Sequence, residues 1–256
     1  MNALPNEYVR RTSWRLLLRI LPAIGVGVLW FYGQPTAAMA LFATVFCTIG
    51  YLTLSPTTRL LGPVTTHWQG DALLLTLDDG PHPETTPALL DLLDRHGVKA
   101  VFFVIGDRVN QWPDLAREIV RRGHTIGNHS QTHPSGRFWI LGPRGTWREV
   151  AGCQQTLREI TGEEPQWFRA PVGHYGAFTH PALDELGLRL MSWSCRGFDT
   201  VDPDVPRVLR RMASNVKPGA IVLLHEAIPT SVELVEGILE LARSKGLRWA
   251  DPTSLQ

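Results

Sequence analysis

Leu73–Pro87 reads LLLTLDDGPHPETTP. Three leucines and a β-branched residue run directly into two adjacent aspartates, followed by Gly80-Pro81 and His82. The apolar run predicts a buried strand, and the Gly-Pro step ends it. A buried carboxylate is costly unless paired, hydrogen-bonded or bound to a cation. Asp-Gly at a turn is explained by local turn preference alone. That accounts for one aspartate comfortably and for two less well, so Asp78 and Asp79 are candidate functional groups.

Downstream of Asp71 the pattern alternates. Strand-like runs fall at Ala72–Leu77, Ala100–Ile105, Thr125–Asn128, Trp167–Ala170, Leu188–Ser194, Ala220–Leu224 and Leu247–Ala250. Helical patterns fall between them at Thr86–His96, Asp114–Arg122, Thr146–Ile160, Pro206–Val216 and Ser231–Lys245. Thr146-x-x-Glu149 reads as a capping box, and Gly123 and Gly246 as helix stops. Alternation of this kind predicts an α/β domain with a mainly parallel sheet, either a distorted barrel of about seven strands or an open flavodoxin-like sheet.

Polar residues share one phase of this pattern. Asp78 and Asp79 end the first strand, and His129 and His133 follow the third. Arg169 sits near the end of the fourth, Asp199 follows the fifth and His225 ends the sixth. C-terminal strand ends face the ligand in parallel α/β folds, so these groups are expected on one rim. His129-x-x-x-His133 would put both imidazoles on one face of a helical turn, and a carboxylate would complete a three-ligand metal site. Two histidines and a carboxylate serve hydrolytic zinc and also non-haem iron oxygenases. One aspartate could ligate while its neighbour stays free as a base, because a divalent cation lowers the pKa of a bound water to about 7. His225 would be the general acid. Asp199 could orient it, and Arg169 could hold Asp78 ionised.

The first sixty residues have a different character. Leu16–Tyr32 is apolar apart from Arg19, Gly33–Thr36 breaks it, and Ala37–Leu54 is apolar throughout. A spanning helix needs roughly 17–25 such residues. The expectation is a transmembrane helical hairpin, about 16–32 and 37–54, with Arg19 reaching back to the headgroups. A signal peptide ending near Ala38-Met39-Ala40 and a buried soluble hairpin are the alternatives. The chain then divides into a membrane hairpin (1–56), a connector (57–70) and a catalytic-looking domain (71–256). Five arginines (10, 11, 15, 19 and 59) against the single Glu7 give residues 1–59 a net charge of +4. The remaining 20 basic and 23 acidic groups give −3, no basis for nucleic-acid binding. The positive-inside rule puts the N-terminus in the cytoplasm of a bacterial-type inner membrane, and a hairpin returns the catalytic part to that side. A single anchor would export it. Cys47, Cys153 and Cys195 form no disulfide framework or zinc-finger pattern, and no obligate protein partner is evident.

Together these segments resemble the NodB-type polysaccharide deacetylases of carbohydrate esterase family 4. The matching motifs are Thr76-Leu77-Asp78-Asp79-Gly80-Pro81, His129-Ser-Gln-Thr-His133-Pro134, Arg169-Ala-Pro171-Val-Gly173 and Leu223-Leu-His225, over roughly Asp71 to Ala250. The resemblance implies a distorted (β/α) barrel and metal-dependent removal of acyl groups from sugars. It implies Asp79, His129 and His133 as ligands to a divalent metal, usually Zn2+. Asp78 would be the base, His225 the acid, Arg169 the tether of Asp78 and Asp199 the partner of His225. Pro171, Val172, Leu223, Arg196 and Thr200 are expected around the substrate, with the Val172 N–H as oxyanion donor. The implied substrate is an amino-sugar glycan or, at a membrane, a lipid-linked sugar. Family members that deformylate lipid-linked aminoarabinose set the precedent.

One motif departs from the pattern. The family's Asp-x-x-Asp-Trp reads Arg196-Gly-Phe-Asp199-Thr200 here. A cation replaces the first aspartate and a threonine the pocket tryptophan. Arg196 would meet an anionic substrate group or a nearby acid. A catalytically altered sugar-binding module therefore stands as an alternative to an enzyme.

Overall fold

Parity along the central strands decides which side chains face the site. In the computed structural model, which describes residues 4–255, β1 (Leu74–Gly80), β2 (Ala100–Val104), β3 (Thr125–Asn128), β4 (Trp167–Phe168), β5 (Arg189–Leu190), β6 (Cys195–Arg196) and β7 (Ile221–His225) form one parallel sheet. Their order is β5-β4-β3-β2-β1-β7-β6. Successive side chains on a strand point to opposite faces. Leu74, Val101, Phe103, Ile221 and Leu223 accordingly share an inner cluster with Trp68, Trp167, Met191 and Trp193. Leu73, Leu75, Leu77, Phe102, Val104, Val222 and Leu224 join the outer cluster beneath the helices.

The two edge strands are consecutive in the chain. β5 pairs with β4 and β6 pairs with β7, yet only Met191–Ser194 separates them. So short a link reaches under about 20 Å, so the sheet must curl until its edges approach. The result is a curled half-barrel. The connector reinforces the seam: Thr65 bridges to Met191 and His67 to Ala220. An open flat sheet is excluded by this closure.

Two strand expectations are corrected. Leu188–Ser194 is not one strand but splits between β5 and the run into β6, because the chain changes pairing partner at the seam. Leu247–Ala250 makes only the isolated Leu73–Trp249 bridge.

The helices are α1 (Asn6–Phe31), α2 (Pro35–Leu54), α3 (Thr85–His96), α4 (Gly106–Gln111), α5 (Pro113–Arg121), α6 (Pro143–Thr161), α7 (Thr179–Glu185), α8 (Val205–Met212) and α9 (Ser231–Ser244). α6 begins three residues before the expected capping box, so Thr146 is not its cap; Glu149 is used elsewhere. Helices α4 and α7 were not legible as amphipathic runs because both are short.

The N-terminal pair differs from the expected hairpin. α1 starts at Asn6, ten residues early, and this extension docks on the barrel. Tyr8 is buried and its hydroxyl donates to the Pro143 carbonyl, while Arg11 pairs with Asp184 and Arg15 donates to the Ala177 carbonyl. Among the described residues only α2 is long and apolar enough to cross a membrane; the apolar part of α1 is confined to Ile20–Phe31, shorter than a span. The Arg19 side chain lies outside the described residues.

Candidate active site

Adjacent strand residues should face opposite ways, yet Asp78 and Asp79 both reach the rim. Parity places Asp78 inward with Leu74 and Thr76. Asp79 is an inserted residue: Asp78 pairs with Phe103 and Gly80 with Val104, so the register slips across it. Its φ of 69° is the left-handed geometry of a bulge, which Asp tolerates better than most residues. Arg108 donates to the Asp79 carbonyl and fixes the bulge. Gly80 is required behind it, since a Cβ there would collide with the buried Glu226 carboxyl.

His129 and His133 do not lie on a helical turn. They sit on a loop in which Ser130 (φ 68°) and His133 (φ 52°) are left-handed, and this brings the two rings to 4.8 Å between centroids. The loop is held from several sides. Asn128 Oδ1 accepts from the Ser130 N–H at 3.0 Å, and the Asn128 amide donates to the Val150 carbonyl and Gln154. Glu149 accepts from the Thr132 N–H and hydroxyl, both at 2.9 Å. Glu149 is thus a loop anchor that sequence spacing had assigned to a helix cap.

The His129 Nδ1–H donates to the Arg169 carbonyl at 2.8 Å, leaving the Nε2 lone pair free. Nε2 of His129 lies 3.4 Å from Asp79 Oδ1, and Nε2 of His133 lies 3.3 Å from the same oxygen. The three potential ligand atoms lie within 4.8 Å of one another, and Asp79 Oδ1 is buried without a hydrogen-bond partner. Burial, and then His129, push His133 down to about 4, so it is neutral at pH 7, the form in which imidazole ligates. Burial opposes ionisation of Asp79, but the neighbouring imidazoles of His129, His133 and His225 hold its carboxyl below the usual range. An orphaned anionic oxygen facing two imidazole nitrogens fits a divalent cation, with an open side toward the cavity.

Asp78 is almost fully buried. Arg169 Nη1 donates to its Oδ1 at 2.7 Å and to the Thr76 hydroxyl at 2.7 Å. The same guanidinium donates to the Met191 and Ser192 carbonyls and lies 4.2 Å over the Phe103 ring. Arg169 therefore aims Asp78 and also satisfies the seam carbonyls that lack a ladder partner. On β7, the register sets His225 opposite Asp78. Asp199 accepts from the His225 backbone N–H at 2.8 Å and from Nδ1 at 3.0 Å. Burial opposes protonation of His225, but Asp199 outweighs it and raises the imidazole above its ordinary value.

A cavity of about 230 Å3 is lined by Asp78, Asp79, His129, His133 and His225, and by Val172, Leu223, Arg196 and Thr200. Arg169, Asp199 and Pro171 are buried behind this lining rather than in it. Val172 adopts φ 50° and ψ 15°, a strained conformation for a β-branched residue and one associated with functional loops. Trp193 also lines the cavity, as do Ser135 and Gly173, which were not among the expected pocket residues. Trp68 and Trp167 are core residues and do not line it.

Comparison with known proteins agrees with this geometry. Residues 68–191 match the family model described as polysaccharide deacetylase. A chitooligosaccharide deacetylase from Bradyrhizobium sp. is 37% identical over 166 residues, 63% of this chain and 74% of the relative. The peptidoglycan-N-acetylglucosamine deacetylase PgdA of Listeria monocytogenes is 33% identical over 68% of this chain but only 36% of its own length. Among solved structures, a family 4 carbohydrate esterase from Streptomyces lividans in complex with acetate is similar at a TM-score of 0.65 and 28% identity, covering 70% of this chain and 92% of that one. A CE4-family pseudoenzyme from Bacillus anthracis matches at a TM-score of 0.69 and 25% identity, covering 75% and 68%. The curled α/β sheet, the ordered motifs and these similarities together place the chain in the polysaccharide deacetylase family, carbohydrate esterase family 4, the hydrolytic carbohydrate N-deacetylases.

Proposed function

We propose that this chain removes N-acyl groups, acetyl or formyl, from an amino sugar of a polysaccharide or lipid-linked glycan, with a divalent ion, zinc before others, held by Asp79, His129 and His133. The observation that carries the reading is the division of labour between two adjacent carboxylates. Asp79 faces the imidazoles, while Asp78 is held by Arg169 beside His225, its register partner on β7.

A bound ion supplies Lewis-acid polarisation of the acyl carbonyl and lowers the pKa of a water. The chain's own groups do the rest. Asp78, oriented by Arg169, takes the proton of the attacking water. The Val172 N–H, presented by its left-handed backbone, donates to the oxyanion. His225, whose protonated form Asp199 favours, delivers a proton to the departing amine.

The altered-module reading has the changed fourth motif and the pseudoenzyme neighbour in its favour. Against it, Asp78, Asp79, His129, His133 and His225 converge on one cavity. The oxygenase reading has no further support from an α/β barrel of this family.

The membrane assignment is part of the proposal. α2 exposes Met39, Phe42, Phe46 and Tyr51, and α1 packs beside it, which supports a hairpin. The hairpin would hold the site near a bilayer. The Tyr175 N–H, just past the Val172 loop, donates to the Thr53 carbonyl near the end of α2, and a Cβ on Gly173 would strike Pro56. Such a position suits a lipid-linked sugar, on the cytoplasmic side by the positive-inside rule.

Two experiments test the reading. The purified full chain loaded with Zn2+ should release acetate or formate from N-acylated glucosamine oligomers or membrane glycolipids; no release from either class would refute the enzyme. Alkaline phosphatase fused at the C-terminus should be inactive; activity there would refute a cytoplasmic site.

A further inference from the structure

The residue that departs most from the family pattern also has the least explained position. Arg196 ends β6 and lines the catalytic cavity. It also lines an adjoining cleft of about 690 Å3, shared through Trp193. Its guanidinium is fixed in direction, 5.1 Å over the Trp193 ring and 4.3 Å over Phe198. Its Nε is buried and makes no hydrogen bond among the described residues. The acids nearest to it are committed elsewhere, Asp199 to His225 and Asp78 to Arg169. A structural ion pair therefore does not account for Arg196.

The adjoining cleft is lined on its polar side by Thr57, Thr66, His67, Ser194 and Asn215, and no carboxylate is among the described residues that line it. An anion entering it would meet a preset guanidinium with hydroxyl and amide donors and no repelling charge. Phe198, 47% exposed at the rim, offers a flat apolar face of the kind that sugar rings pack on.

We propose that Arg196 is a specificity-determining residue that reads a phosphate or carboxylate carried by the glycan beside the acylamino group to be hydrolysed. This inference rests on the deacetylase reading of the neighbouring cavity. Guanidinium suits it because its planar fork binds either anion through two parallel hydrogen bonds.

The test uses the purified full chain with three probes: neutral N,N′-diacetylchitobiose, N-acetylglucosamine-1-phosphate and N-acetylmuramic acid. Binding is read by calorimetry and acetate release by kcat/KM. At least one charged probe should be preferred over the neutral one by about 10- to 100-fold, the size expected of hydrogen bonds to a charged group. The charged probe that wins identifies the anion. Arg196→Gln should collapse that ratio, chiefly through KM, and Arg196→Lys should restore part of it. Raising ionic strength should weaken only the charged probes. Equal treatment of all three probes by the wild type, or an unchanged ratio in Arg196→Gln with Arg196→Lys behaving alike, would overturn the proposal. Failure of every probe to release acetate would count against the deacetylase reading instead. The calorimetric ratio would still decide the role of Arg196.

Discussion

Asp199 accepts two hydrogen bonds from one residue, the backbone N–H of His225 at 2.8 Å and its ring Nδ1 at 3.0 Å. This fixes the ring and stabilises its protonated form, so Nε2 faces the cavity with a proton to give. The acid is active while protonated, and its raised pKa carries activity to higher pH. Asp199→Asn removes the charge and should move the alkaline limb of the kcat/KM profile toward lower pH. An unmoved limb in the pH–rate profile would separate Asp199 from the acid's titration.

Asp78 and His225 lie side by side on paired strands and line the same cavity, and each would transfer one proton. Asp78→Asn and His225→Ala should each lower kcat by about 10²- to 10⁴-fold, the usual worth of a positioned acid or base. Both variants should still take up Zn2+ in an equilibrium titration, since neither is among the three proposed ligands. Full turnover in either variant would reassign its role.

Glu149 touches none of the ligand atoms but holds Thr132, the residue before His133. Groups that orient metal ligands from behind are typically worth 10- to 100-fold in affinity. Glu149→Ala should weaken Zn2+ binding by about that factor, with Glu149→Gln intermediate because it keeps one acceptor. Chelator should abolish activity in the wild type, and added Zn2+ should restore it.

Glu226 lies fully buried beneath the Asp79–Gly80 bulge, and burial raises its carboxyl to about 8 against 4.5 in an exposed state. The folded chain therefore keeps a proton that the unfolded chain releases between those values. Its contribution to stability falls as pH climbs through that window, by about 1.4 kcal/mol per unit at most. Glu226→Gln removes the dependence. The melting-temperature difference between variant and wild type should grow in the variant's favour from pH 5 to pH 8. A constant difference would show that Glu226 does not titrate on unfolding.

Much of this was legible in the chain itself. Apolar runs and their spacing determine the α/β alternation, because burial favours strands and helices of a given period wherever they fall. The order of the motifs determines that Asp78, His129, Arg169 and His225 meet at one end of the sheet, since parallel strands all point the same way. Exposed apolar length marks α2 in the same manner. These are local properties, and local sequence carries them.

Other features depended on what packs against what. The seam between β5 and β6 exists because the sheet curls, and no short window around Leu188–Ser194 contains that curl. The bulge at Asp79 arises from register against β2, so the sequence shows two aspartates but not why both face inward. The histidine pair is joined by a left-handed loop braced from α6, a fact invisible in their spacing. Arg196 stands out on paper as a cation in place of a motif aspartate, but the sequence leaves an anionic substrate group and a nearby acid as equal partners for it. It acquires meaning only where the fold commits both neighbouring acids to other partners and leaves its guanidinium facing a cleft without carboxylates.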